Sequence, residues 1–456
     1  MSLLDATMLV VGSMIGSGIF IVSADIARTM GSPGWLLAVW LVTGILTLLG
    51  ALAYGELAAM YPRAGGQYVF LREGLGALPG YLYGWTLFLV IQTGTIAAVA
   101  VAFARFLGVL FPTVSPDVFL SLGRLPMPGG EIEFGLSAQR IVAIVVVALL
   151  TAVNMRGLRE AKWVQNVFTI AKTVALAGLI LLGLTIGRNA AAIDMNFSDM
   201  WAGAPTGMAL VLAFGAAMVG SLFASDAWNN VTFAAAEVEK PERNLPIALA
   251  LGTGIVTVLY LLANVAYLAV LTLPEIQGAA QDRVGTAAAQ AIFGQSGLVI
   301  MAVAILISTF GCVNGLVLAG ARVYYAMAKD GLFFRSAGKI SSRTHVPTWA
   351  LLVQGVWTAL LTLSGTYSQL LDYVIFAALL FYVLTIVALF RLRIREPDRP
   401  RPYRAIGYPI LPALYLVGAA GVAVILLIAK PVYTFFGLAL VLLGIPVYFL
   451  WRAGSR

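Results

Sequence analysis

The sequence predicts an all-α polytopic membrane protein of twelve transmembrane helices, built as a 5+5 inverted repeat with broken helices 1 and 6. Three observations lead there. The 456 residues are 61% hydrophobic and 11% charged, with a mean hydropathy of +0.95, where a soluble domain carries roughly 25% charged residues. Apolar runs long enough to span a bilayer, about 20 residues or more, recur along the whole chain. Two of these runs are interrupted in their middles by small and polar residues.

Spans are expected at 4–29, 34–61, 76–111, 138–157, 161–187, 203–238, 243–272, 296–328, 346–365, 368–392, 407–429 and 431–452. Five spans entering from one side and five from the other satisfy an inverted repeat. The chain then divides into a first repeat over 1–195 (helices 1–5), a second over 196–400 (helices 6–10), and helices 11 and 12 over 401–456. Stretches 62–74 and 283–294 read as short interfacial helices, one on each side.

Lys and Arg set the orientation. The even-numbered connections hold Arg63 and Arg72, then Arg156, Arg159 and Lys162, then Lys240 and Arg243. Further on they hold Arg335, Lys339 and Arg343, and finally Arg391, Arg393, Arg395, Arg399, Arg401 and Arg404. The odd-numbered connections are poor in basic residues: 112–137 sets Arg124 against Asp117, Glu131 and Glu133. Both termini are expected in the cytoplasm, with the chain multi-pass in the plasma (inner) membrane. The tail before the first span is too short to carry much regulation. Segment one lacks the basic n-region and cleavage site of a signal peptide. The net charge of +8 belongs to the loops facing the cytoplasm and is not a nucleic-acid signal.

The first break is Val11-Gly12-Ser13-Met14-Ile15-Gly16-Ser17-Gly18-Ile19-Phe20. Backbone groups left unpaired in hydrocarbon are costly, so a break at that depth must be buried in protein or line a cavity. Close packing of helices through small residues is the other reading of the first segment alone. The second break is Gly220-Ser221-Leu222-Phe223-Ala224-Ser225-Asp226-Ala227-Trp228-Asn229-Asn230, ahead of a stop at Pro241. Interrupted segments in matching places of two halves point to a binding site near the bilayer midplane.

These residues resemble a known family. Gly16-Ser17-Gly18-Ile19-Phe20, the Trp228-Asn229 pair, Glu239-Lys240-Pro241-Glu242-Arg243-Asn244-Leu245-Pro246, Asn264-Val265-Ala266-Tyr267 and Phe310-Gly311-Cys312-Val313-Asn314-Gly315 are similar to the amino acid–polyamine–organocation superfamily. Within it they most resemble the prokaryotic type of the L-type amino acid transporter branch, from about Leu4 to Arg404. The resemblance implies a leucine-transporter-type fold, alternating access, and sodium-independent exchange of amino acids. It places Ser13, Met14, Gly16, Ser17 and Gly18 on the substrate carboxylate, which suits N–H groups at a helix start. It makes Phe223 the gate over the substrate, and the carbonyls around Phe223, Ala224 and Ser225 the acceptors for its ammonium. Asn229 matches an amide that stabilises the opened segment six.

A lysine at mid-membrane costs about 2.5–3.5 kcal/mol on insertion scales and needs partners. Lys172, near the middle of its span, matches the family lysine that stands where sodium-coupled relatives bind a cation. Its ammonium is expected to bridge carbonyls near Met14–Ser17 to the hydroxyls of Ser308 and Thr309. Family members that also accept cationic substrates carry an aspartate at the position of Asp226, and those restricted to neutral ones mostly a small residue. Four readings of Asp226 stand: recognition of a cationic side chain, binding of the α-ammonium, proton carriage, and internal pairing with a lysine or arginine. Glu56 reads mainly as a structural ion-pair or cap partner, and Arg105 as a snorkelling or paired residue.

No Ser-His-Asp set, zinc spacing or phosphate loop is visible, and the single histidine, His345, falls in a basic loop. An enzyme is therefore not expected, and no cofactor or metal is called for. The single cysteine, Cys312, permits no internal disulfide. The partners expected are small amino acid substrates and the lipid bilayer, with no nucleic acid. Eukaryotic relatives join a heavy subunit through a cysteine between spans three and four. Loop 112–137 holds none, so no disulfide-linked heavy subunit is expected. A proton-coupled amino acid or polyamine symporter and a non-transporting amino acid sensor are the competing functions.

Overall fold

The computed structural model describes residues 1–127, 130–364 and 367–454. Among these, eleven helices are long and apolar enough to cross a membrane. The chain opens with α1 (Leu3–Met14), started by a reciprocal cap in which the side chains of Ser2 and Asp5 each accept from the other's backbone N–H. The helix stops where Ile15 turns extended. It resumes as α2 (Gly18–Ile21) and α3 (Ser23–Met30), and closes on Gly31 in the left-handed region. Next come α4 (Pro33–Met60), with proline in its first turn, and α5 (Gln67–Leu75). α6 (Ala77–Thr86) runs into α7 (Gln92–Leu110) through a π turn at Leu87–Ile91.

An antiparallel hairpin follows, β1 (Leu120–Met127) and β2 (Gly130–Leu136), where the sequence had suggested only a loop. The middle of the chain holds α8 (Ala138–Arg156), α9 (Leu158–Leu184) and the short α10 (Ala190–Phe197). α11 (Gly207–Ala224) and α12 (Asn230–Phe233) flank the second break, and α13 (Pro241–Val270) starts on the expected proline. α14 (Leu273–Gln277) and α15 (Val284–Phe293) lead into the 35-residue α16 (Gln295–Lys329). The chain ends with α17 (Thr348–Thr362), α18 (Tyr367–Arg395), α19 (Ile410–Ala429) and α20 (Pro431–Gly454).

Two faces can be told apart by their contacts. On the basic face, Arg393 and Arg401 reach Glu56 at the end of α4, and Tyr68 and Arg72 of α5 reach Asp330 behind α16. On the opposite face, the Gly135 N–H of the hairpin donates to the Leu363 carbonyl at the end of α17. α17 has only 15 residues, about 22 Å at 1.5 Å per residue, so the apolar run at 346–365 is shorter as a helix than expected. Stretch 62–74 differs from expectation too. Gln67, Tyr68, Phe70 and Leu71 of α5 are buried against the bundle, so this helix is tucked in and does not lie flat on the surface. The site lies where α1, α9, α13 and α16 pack together, with α7 alongside.

Candidate functional site

The interruption in segment one frees the carbonyls of residues 12–16, and each meets a side chain. Lys172 of α9 donates its Nζ to Gly12 O (2.5 Å) and Ile15 O (2.6 Å). The Cys312 thiol donates to Ser13 O (3.1 Å), the Tyr260 hydroxyl to Met14 O (2.9 Å), and Ser308 Oγ to Gly16 O (3.1 Å) and Ile15 O (3.2 Å). The break is therefore satisfied by protein, as a break at membrane depth must be. Lys172 is 1% exposed. Its third contact is the Ser308 carbonyl (3.4 Å), not the hydroxyl that the sequence had suggested. Thr309 takes no part, because its hydroxyl turns back to Ile305 O (2.8 Å) in its own helix.

The second break carries Ala227 at φ 66° between α11 and α12. Its carbonyls are occupied in part: Phe223 O accepts from the Asp226 N–H (3.2 Å) and the Ser225 N–H, and Ala224 O lies 3.0 Å from the same Tyr260 hydroxyl that reaches Met14 O. The two breaks touch directly. A Cβ on Gly18 would lie 2.5 Å from the Ala224 Cβ, so no larger residue fits there without displacing one helix.

A small cavity lies between the breaks. Ser13, Met14, Gly16, Ser17, Gly18, Phe223, Ala224 and Asp226 line it, joined by Thr95 and Val99 of α7, Ala227 and Cys312. The Ser13 hydroxyl, 3% exposed and with no hydrogen-bond partner, lies toward Gly315 of α16 and Gln165 of α9. Two further predicted residues face neighbouring cavities instead. Ser225 lines one beside Tyr382 and Tyr415. Asn229 lines one beside Gln67 and Gln92, and donates to Gln67 Oε1 (2.8 Å).

The profile of the amino acid permease family matches residues 1–451. The human protein named large neutral amino acids transporter small subunit 2 is 34% identical, over 98% of this chain and 79% of that protein. The mouse b(0,+)-type amino acid transporter 1 is 31% identical, covering 98% and 87%. The serine/threonine exchanger SteT of Bacillus subtilis is 31% identical, covering 98% and 95%. The chain belongs to the amino acid permease family. It is a transporter and not an enzyme.

In this permease Asp226 is 8% exposed, and its side-chain contact is a hydroxyl: Tyr382 donates to Oδ1 at 2.5 Å. Among the described residues no lysine or arginine pairs with Asp226, against the reading of an internal ion pair. Glu56 does form the expected structural ion pair, with Arg393 (2.5 Å) and Arg401 (3.2 Å). Arg105 reaches the Gln281 carbonyl (3.3 Å). Sequence reasoning missed Tyr260, Tyr382, Gln67 and Tyr415. Each is a polar-tipped residue whose importance comes from what it meets across the fold. Only Gln67 carried a signal, as an amide followed by an aromatic run in a stretch already set apart as a short helix.

Proposed function

We propose that this permease exchanges amino acids across the plasma (inner) membrane by alternating access, independently of sodium, and takes neutral and also cationic L-amino acids. The observation that carries the reading is the cavity shared by both breaks, walled by Ser13, Met14, Gly16, Ser17 and Gly18 of the first and Phe223, Ala224 and Asp226 of the second. The substrate carboxylate binds Ser13 and the backbone of 14–18. The ammonium binds the carbonyls around Phe223, Ala224 and Ser225. Phe223, near the end of α11, closes the path from the hairpin face. Lys172 stands in for the coupling cation, and this supports sodium independence: a fixed ammonium fills the place a mobile ion would need. The names of the relatives, a large neutral amino acid transporter and a serine/threonine exchanger, agree with this substrate class.

The same reading extends to the architecture. Residues 1–195 and 196–400 form the two inverted repeats, and 401–456 the last two of twelve helices. α17 counts as a crossing, supported by its attachment to the hairpin at its far end. The basic face is cytoplasmic and holds both termini. With no cysteine in 112–137, the permease works without a disulfide-linked heavy subunit.

Uptake of labelled alanine and labelled arginine into proteoliposomes tests this, with and without unlabelled amino acid inside and in sodium or choline buffer. The expected result is uptake of both that requires internal substrate and ignores sodium. Uptake into empty vesicles, raised by an inward proton gradient, overturns exchange in favour of the symporter, with Asp226 as proton carrier. Binding without flux indicates a sensor.

A further inference from the structure

Asp226 is the residue shared by the walls of the three cavities described around the second break. A buried carboxylate without a cation is costly and survives only on strong donors. Here the side-chain donor is Tyr382. The Tyr382 ring is held by Trp228 (centroids 5.5 Å apart) and Tyr54 (6.1 Å). One turn further along α18, Thr385 accepts from Gln67 Nε2 (3.1 Å), whose Oε1 in turn accepts from Asn229. α18 therefore grips two polar residues of the break, Asp226 directly and Asn229 through Gln67.

The grip on Asp226 has a competitor built into the substrate class. A guanidinium or ammonium on the substrate side chain offers the carboxylate a charged donor in place of a neutral hydroxyl, and charge-assisted hydrogen bonds are roughly twice as strong. A neutral side chain offers nothing and leaves Tyr382 in place. The hydroxyl also has a polar-lined space beside it: Tyr382 itself lines a small cavity with Thr47, Ser225 and Tyr415.

We propose that Tyr382 is a specificity-determining residue that holds Asp226 while a neutral amino acid is carried and yields it to the cationic end of a basic one, moving toward the cavity between α4, α18 and α19. This rests on the reading that Asp226 faces the substrate side chain. It makes Tyr382 a positioning residue acting through Asp226, and it makes the ratio of basic to neutral transport a property of the pair.

The test compares kcat/KM for arginine and alanine in reconstituted full-length wild type, Tyr382→Phe, Asp226→Asn and the double variant, each with the same internal amino acid. Tyr382→Phe is expected to raise the arginine-to-alanine ratio about tenfold, equivalent to ~1.4 kcal/mol, mainly through a lower KM for arginine. The gain should vanish in the double variant. If Asp226→Asn leaves the ratio unchanged, the reading of Asp226 itself fails. If Asp226→Asn lowers the ratio and Tyr382→Phe does not raise it, or the gain persists in the double variant, only the role of Tyr382 fails. Should the wild type carry no arginine, the same comparison is read as inhibition of alanine uptake by arginine. Thr47→Leu provides a second variant, independent of the folding of Tyr382→Phe. By narrowing the receiving cavity it should lower the ratio, and an unchanged ratio removes the displacement step.

Discussion

At the scale of single residues, Lys172 has the most demanding surroundings. An ammonium carries three donors, and three carbonyls face it, those of Gly12, Ile15 and Ser308. Two belong to the unwound part of segment one and the third to α16, so a single side chain of α9 joins all three elements. Lys172→Ala removes every one of these donors from a site 1% exposed. An unmade hydrogen bond to a buried group costs about 1–3 kcal/mol. The expected result is a loss of transport of at least about tenfold, taking ~1.4 kcal/mol as a factor of ten. Lys172→Met, which keeps the bulk, should do no better. Initial uptake rates, normalised to folded protein, check this; wild-type rates in the alanine variant would remove the role assigned to Lys172.

At the scale of elements, the working part is the pair of broken helices and the tyrosine between them. The Tyr260 hydroxyl lies 2.9 Å from Met14 O and 3.0 Å from Ala224 O. It has one proton, so it donates to one break or the other, or shares the proton between them. Tyr260→Phe should lower kcat/KM for alanine about tenfold, the ~1.4 kcal/mol scale of one such bond, with the fold retained because the ring still packs on Trp40. An unchanged kcat/KM in this variant would mean the bridge is idle. Both breaks were legible in the sequence because glycine, serine, aspartate and asparagine are costly in the middle of an apolar helix. Tyr260 was not legible: Leu259-Tyr260-Leu261 reads as an ordinary apolar run, and its contact depends on how α13 packs against both breaks. The atom of Ser308 that meets Lys172 was hidden for a similar reason, since it depends on the rotation of α16 about its own axis. The hairpin left a readable trace, the alternation Glu131-Ile132-Glu133-Phe134 after Pro128-Gly129, which the search for membrane spans passed over.

At the scale of the whole molecule, one buried cluster ties distant parts of the chain together. Glu56, 0% exposed at the end of α4, accepts from Arg393 Nε (2.8 Å) and Nη2 (2.5 Å) and from the Ala405 N–H (2.7 Å), and pairs with Arg401 (3.2 Å). The Arg393 guanidinium also lies 3.9 Å from the centroid of the Tyr408 ring. One carboxylate thus anchors the end of α18 and the connection leading to α19 onto a helix of the first half. Two guanidinium groups depend on it, so replacing it leaves them close together with no counter-charge. Breaking a buried pair by removing one partner costs about 3–5 kcal/mol, even where the intact pair adds little over an apolar alternative. Glu56→Gln keeps the shape and one acceptor oxygen while deleting the charge, so its cost should fall at the lower end, about 3 kcal/mol. A clear drop in the melting temperature of the purified permease, followed by tryptophan fluorescence in detergent, is the expected outcome. Melting at the wild-type temperature would mean that the cluster is not what fastens the two halves. Because buried pairs are screened far less than exposed ones, adding salt should leave the wild-type melting temperature nearly unchanged, which separates this cluster from the exposed ion pair of Arg28 with Asp282 on the other face.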